Sequence, residues 1–172
     1  AYVGETGTWT GRYIPAFLRR YPFVFSSADG NKTLTLCIDE AYEGVNTGGE
    51  GEKLFDSKGA QTAYLKSVLE FTRDYQAQYV RTRAFCQRLA ELDLLEPMQV
   101  NYTLPDGTKG RFAGFQAVNR DKIKALPADV LAQMLANDEL EMLFVHLQSL
   151  NNLQGLIEKC AATDKSAEAE PA

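Results

Sequence analysis

Arg12, Arg19 and Arg20 lie in the run Gly11-Arg12-Tyr13-Ile14-Pro15-Ala16-Phe17-Leu18-Arg19-Arg20-Tyr21-Pro22-Phe23, which interleaves cations with aromatic rings and two prolines. A guanidinium presents a planar fork of donors that matches a carboxylate or phosphate, and neighbouring rings can supply apolar walls. Asp39, Glu40 and Glu43 follow the strand-like run Leu34-Thr35-Leu36-Cys37-Ile38. Carboxylates just past a strand end can bind cations or work as an acid–base pair. They are also natural partners for the arginines, which have no other evident purpose. This favours an internal arginine–carboxylate network over a catalytic pair. Arg12, Tyr13, Arg19, Arg20, Tyr21, Asp39 and Glu40 are therefore the expected binding residues.

His146 is the single histidine, so a multi-histidine metal site is excluded. It lies in Leu143-Phe144-Val145-His146-Leu147, an apolar helical face, where a packed imidazole bonded to backbone or carboxylate is favoured over a general base. A functional His146 would need Cys37, Cys86 or the Asp39–Glu40 pair beside it in space. Cys37, Cys86 and Cys160 are odd in number and far apart, with neither metal-ligand nor redox-motif spacing. Buried free thiols in a reducing compartment are the simpler expectation. The Gly44–Gly51 loop lacks the Lys-Ser or Lys-Thr ending of a phosphate loop, and no dinucleotide fingerprint or nucleophile elbow occurs. No cofactor and no metal are expected.

The elements that must position these groups read as follows. Pro15 opens a short helix to Arg20, and Pro22 prevents its continuation. Phe23–Ser26 and Thr33–Ile38 read as strands joined by the turn formers Ser27–Lys32, an antiparallel hairpin. From Thr62 to Leu92 apolar residues recur at spacings of three and four, predicting one long amphipathic helix of about 45 Å with Thr62 as its N-cap. Pro97 bars its extension. The row Tyr64, Phe71, Tyr75, Tyr79 and Phe85 on that helix could line a ligand groove, but its helical spacing favours core and interface; Phe71 departs from the main stripe and is the one of these expected to face something outside the core. Met98–Leu104 and Arg111–Val118 flank Pro105–Gly110 as a second hairpin. Asn119 caps one short helix, Pro127 opens another, and Leu140–Ile157 is helical with a break near Ser149–Asn152. Hairpins segregated from helices predict an α+β class: antiparallel hairpins packed on one long amphipathic helix, plus a C-terminal helical segment. Residues 1–162 are expected to form a single domain, and 163–172 a disordered tail.

The chain has 172 residues, 45% of them hydrophobic and 24% charged, enough for a sizeable core. Its net charge of −5 leaves no basic excess for phosphates, so no nucleic-acid partner is expected. No apolar run approaches the roughly 20 residues of a spanning helix. The N-terminus shows no basic and apolar signal regions, and a cytoplasmic location is expected from sequence.

Several of these segments, in consistent order, resemble the bacterial SapC-type family, as distinct from the membrane permease that shares the name. They are the run Gly11–Phe23, Leu36-Cys37-Ile38-Asp39-Glu40, Leu54-Phe55-Asp56, Thr82-Arg83-Ala84-Phe85, Leu94-Leu95-Glu96-Pro97, Gly114-Phe115-Gln116-Ala117-Val118 and the closing His146–Leu153, with Val145 in place of an alanine. The resemblance implies relatives with an additional region before the aromatic–arginine run. It implies association with the surface layer and a protein partner at the cell envelope or surface, and it brings no reaction or catalytic residues. The first reading is thus a non-enzymatic accessory or structural protein of the surface layer or its export. The second is a binding domain for a small acidic ligand or peptide, held by the same arginines. An enzyme built on His146 ranks last.

Overall fold

A computed structural model describes residues 2–4, 6–27, 33–104 and 106–159. The turn expected at 28–32, Pro105, Cys160 and the tail expected at 163–172 lie outside them. The chain divides into two compact units, one over 11–83 and the other comprising the described residues of 1–10 and 84–172.

In the first unit, α1 (Ala16–Arg19) follows Pro15, and the chain turns at Arg20–Phe23, where the Phe23 N–H donates to the Arg20 carbonyl at 2.7 Å. The Tyr21–Pro22 peptide is cis. β1 (Phe23–Ser26) then pairs antiparallel with β2 (Thr35–Ile38), Phe23 opposite Ile38 and Ser26 opposite Thr35. β2 begins two residues later than the sequence predicts. The helix α2 (Ala63–Glu91) starts in this unit. Thr62 is its N-cap, with Oγ1 accepting the Leu65 N–H at 3.3 Å and donating to the Lys53 carbonyl at 2.6 Å. Leu65, Thr72 and Phe23 are buried here, and the Thr72 hydroxyl is satisfied by the Val68 carbonyl at 2.7 Å.

The unit boundary falls between Arg83 and Ala84, inside α2. The helix ends at Glu91, by a mechanism other than Pro97. Asp93 adopts a left-handed φ of 54°, its N–H reaches the Ala90 carbonyl at 3.0 Å, and the Leu94 N–H reaches the Leu89 carbonyl at 2.9 Å. This is a Schellman cap, and the apolar pair that accompanies it, Leu89 and Leu94, is buried in the core. Lys122 Nζ holds the Asp93 carboxylate at 2.8 Å.

β3 (Leu95–Thr103) starts at once and pairs antiparallel with β4 (Lys109–Val118), Leu95 opposite Val118. Pro97 lies within β3. The Asn119 N–H donates to the Leu94 carbonyl, so the alternation of the ladder turns the backbone nitrogens of Leu95 and Pro97 outward, where a missing N–H breaks no ladder bond. The register shifts after Met98 because β4 carries Gly114 as an extra residue at φ 90°, a bulge that favours glycine. Gly110 is a second requirement, because the Tyr102 ring covers the space a side chain there would fill.

Asn119 caps α3 (Arg120–Lys124), accepting the N–H groups of Asp121 and Lys122. Pro127 precedes α4 (Ala128–Ala136), and α5 (Glu139–Ser149) follows. A turn at Asn151 separates α5 from a further helical stretch at 152–159, where the break was expected. Phe85, Leu89, Leu94, Val118, Ile123, Met134, Leu143 and Leu147 make this unit's core, with Leu94, Met134 and Leu143 fully enclosed. The fold class is α+β, with antiparallel hairpins, a long helix and a C-terminal helical segment, as the sequence predicts.

Leu94 serves both the cap and the core. Leu94→Ala is expected to lower stability by about 3 kcal/mol in denaturant unfolding, whereas Leu135→Ala, at a side chain 68% exposed, should change it little. Equal losses at both positions would contradict this core assignment.

Candidate functional site

The expected arginine–carboxylate network is not what holds the arginines. Arg19 lies with Cζ 5.2 Å from the ring centre of Tyr13 and 5.1 Å from that of Phe71, and its Nη2 donates to the Tyr13 hydroxyl at 3.3 Å. Arg20 lies 4.7 Å from the Phe17 ring and 5.0 Å from Tyr75. Each guanidinium thus has two rings. Phe71 and Tyr75 are one helical turn apart on α2 and share a face, so they meet two consecutive arginines. Among the described residues none of Arg12, Arg19 and Arg20 is in an ion pair with a carboxylate.

The carboxylate expected to serve them is engaged elsewhere. Asp39 Oδ2 accepts the Tyr21 hydroxyl at 3.0 Å, and its Oδ1 accepts the Ala41 N–H at 3.0 Å, closing the turn after β2. Tyr21 also meets Tyr42 edge-on at 5.2 Å. The bond to Asp39, followed by desolvation and the nearby negative charge, raises the Tyr21 phenol above its ordinary value. Glu40 and Arg12 are exposed, with no hydrogen bond or ion pair among the described residues.

A cavity of about 280 Å³ adjoins this cluster, lined by Phe17, Leu18, Arg20, Tyr21, Val24 and Asp39 among others. Arg20 Nε is enclosed yet has no acceptor. In the same segment and the strand that follows it, Tyr13, Ile14, Phe17, Leu18, Tyr21 and Val24 are all exposed, from 39% at Val24 to 62% at Tyr13. Six large apolar side chains at the surface of one short segment form the kind of patch that marks an interaction site.

His146 lies in the other unit, on α5. Its Nε2 accepts the Val118 N–H at 3.3 Å, which leaves the ring proton on Nδ1. Cys37 is half-buried, its Sγ turned to the Thr35 carbonyl at 3.7 Å, and Cys86 is exposed on α2, so neither thiol is buried as expected. Within the unit that holds both, no hydrogen bond joins Cys86 to His146 among the described residues. No three His, Cys, Asp or Glu side chains among the described residues are grouped to hold a metal ion.

The family model for SapC matches residues 1–156, nearly the whole chain. The chain belongs to the SapC family. No curated protein and no solved structure matches it. Membership and fold together support a structural or accessory role. Among the described residues no helix is long and apolar enough to cross a membrane.

Phe17, Phe71 and Tyr75 are outside the seven expected binding residues, although Phe71 is the member of the helix's aromatic row expected to face outward from the core. The signal that could have found them is the spacing itself, two aromatics at i and i+4 on one helix against adjacent arginines elsewhere. Asp39→Asn is expected to bring the Tyr21 phenol back toward its ordinary titration range, followed by carbon shifts of labelled tyrosine rings as pH rises. An unmoved midpoint would show that Asp39 is not the cause.

Proposed function

We propose that this SapC protein is a non-enzymatic accessory or structural protein that recognises a protein partner of the bacterial surface layer or of its export. The observation that carries this reading is the exposed apolar patch of Tyr13–Val24, built around two guanidiniums that ring stacking holds in place. Neither guanidinium is paired with a carboxylate among the described residues, and arginine with aromatic residues dominates binding energy at protein interfaces. The patch uses four of the seven residues first expected to bind, namely Tyr13, Arg19, Arg20 and Tyr21, and Asp39 lines the cavity beside it. The family association with surface layers supports an envelope partner.

A photo-crosslinker at Phe17 should capture a discrete surface-layer or export component from intact envelopes. Phe17→Ser together with Leu18→Ser should weaken that component's binding by about tenfold or more, and Leu135→Ser should leave it unchanged. A patch variant that binds as well as the parent, with an unaltered melting temperature, would sink the proposal.

A second reading is favoured by one observation, the unpartnered Arg20 Nε beside its cavity. Here the protein binds a small acidic ligand or the carboxylate of a peptide. Such a ligand raises the melting temperature by mass action. A screen of dicarboxylates and acidic peptides should give a stabilising hit that Arg20→Lys abolishes; no hit, or a hit that survives Arg20→Lys, rejects this reading.

A further inference from the structure

A second cleft, of about 500 Å³, opens in the unit of residues 11–83 and is separate from the arginine cluster in its chemistry. Phe23, Tyr42, Phe55 and Tyr64 all line it. Phe23 is buried and meets Tyr64 edge-on at 6.4 Å, while Tyr42, Phe55 and Tyr64 remain 42%, 53% and 39% exposed. Four aromatic rings around one opening are more than a solvent-facing loop needs for its own stability. Ring faces carry negative charge density and attract cations.

The charges at the cleft have the same sense. Glu50 and Glu52 line it, against a single cation, Lys53. None of the three is in an ion pair among the described residues. Asn46 fixes the loop that carries Glu50, its Oδ1 accepting the Glu50 N–H at 3.3 Å and its Nδ2 donating to the Glu50 carbonyl at 3.2 Å. No guanidinium lines the cleft, and its two carboxylates outnumber the one ammonium, Lys53.

We propose that this cleft binds a methylated or quaternary ammonium group carried on a larger molecule. The rings accept the cation through their faces, and the two glutamates supply long-range attraction at the rim. A primary amine fits less well, because its N–H donors need acceptors that ring faces offer poorly, whereas a methylated cation has none to satisfy. The volume exceeds that of an ammonium head, which leaves room for an attached body.

Choline and its neutral isostere 3,3-dimethylbutan-1-ol test the charge requirement directly, with binding to the full chain followed by calorimetry and by perturbation of labelled tyrosine signals. Choline should bind saturably and at least tenfold more tightly than the alcohol. Phe55→Ala, at an exposed ring, should weaken choline by about tenfold, and Glu50→Gln with Glu52→Gln should weaken it severalfold and lessen its salt dependence. Thermal unfolding of each variant confirms that the fold persists. Vesicles of phosphatidylcholine, compared with phosphatidylglycerol, separate the two sources of the group: cosedimentation with the former alone assigns a lipid headgroup, and choline binding without it a soluble base. Equal affinity for choline and the alcohol, or no saturable choline binding, overturns the proposal. Neither result bears on the Tyr13–Val24 patch.

Discussion

Two guanidiniums, each held against a ring of α2, are the constraint that ties the Arg12–Phe23 run to the rest of the unit of residues 11–83. Arg19 and Arg20 are adjacent in sequence, so their side chains diverge, and each needs its own support. Phe71 and Tyr75 supply one ring apiece from α2, and Tyr13 and Phe17 close over them from the same segment that carries the arginines. A guanidinium is weakly hydrated across its faces, so covering them with rings sacrifices little solvation. Each such contact contributes about 0.5–2 kcal/mol. Stacking fixes the cations without neutralising them, which suits recognition.

The large elements were legible because they rest on periodicity and punctuation. The long helix announced itself through apolar spacing and Thr62, and the first hairpin through two short β-rich runs flanking turn formers. Asn119 and Pro127 marked helix starts because their local chemistry is sufficient on its own. The end of α2 was misattributed because proline is the more visible signal. The chain stops the helix earlier, with an aspartate in a glycine-like conformation, and that substitution is hard to read without knowing that Leu94 must enter the core.

The site was legible in its composition and not in its pairing. That Arg19 and Arg20 would be held was readable from their aromatic surroundings; that rings would do it was not. Asp39 looked free for them, but a residue directly after a strand is drawn into the turn that follows, and Tyr21 arrives opposite it because β1 and β2 pair antiparallel. Long-range partners of this kind depend on register, which no single stretch of sequence encodes. The aromatic cleft was less visible still, since its four rings come from four separate segments.

The placing of His146 against Val118 has a bearing on solubility in crowded surroundings. A long two-stranded ribbon such as β3 and β4 offers foreign strands an outer rail of unpaired donors and acceptors, a seed for edge-to-edge assembly. At the Val118 end of β4 that rail is occupied, because an imidazole takes the donor an incoming strand would use. On the opposite rail Pro97 offers no donor at all, and the kink at Gly114 bends the ribbon away from the flat geometry that stacking requires. Lys109 and Arg111 add like charges toward the far end. These devices defend the ribbon against templated aggregation.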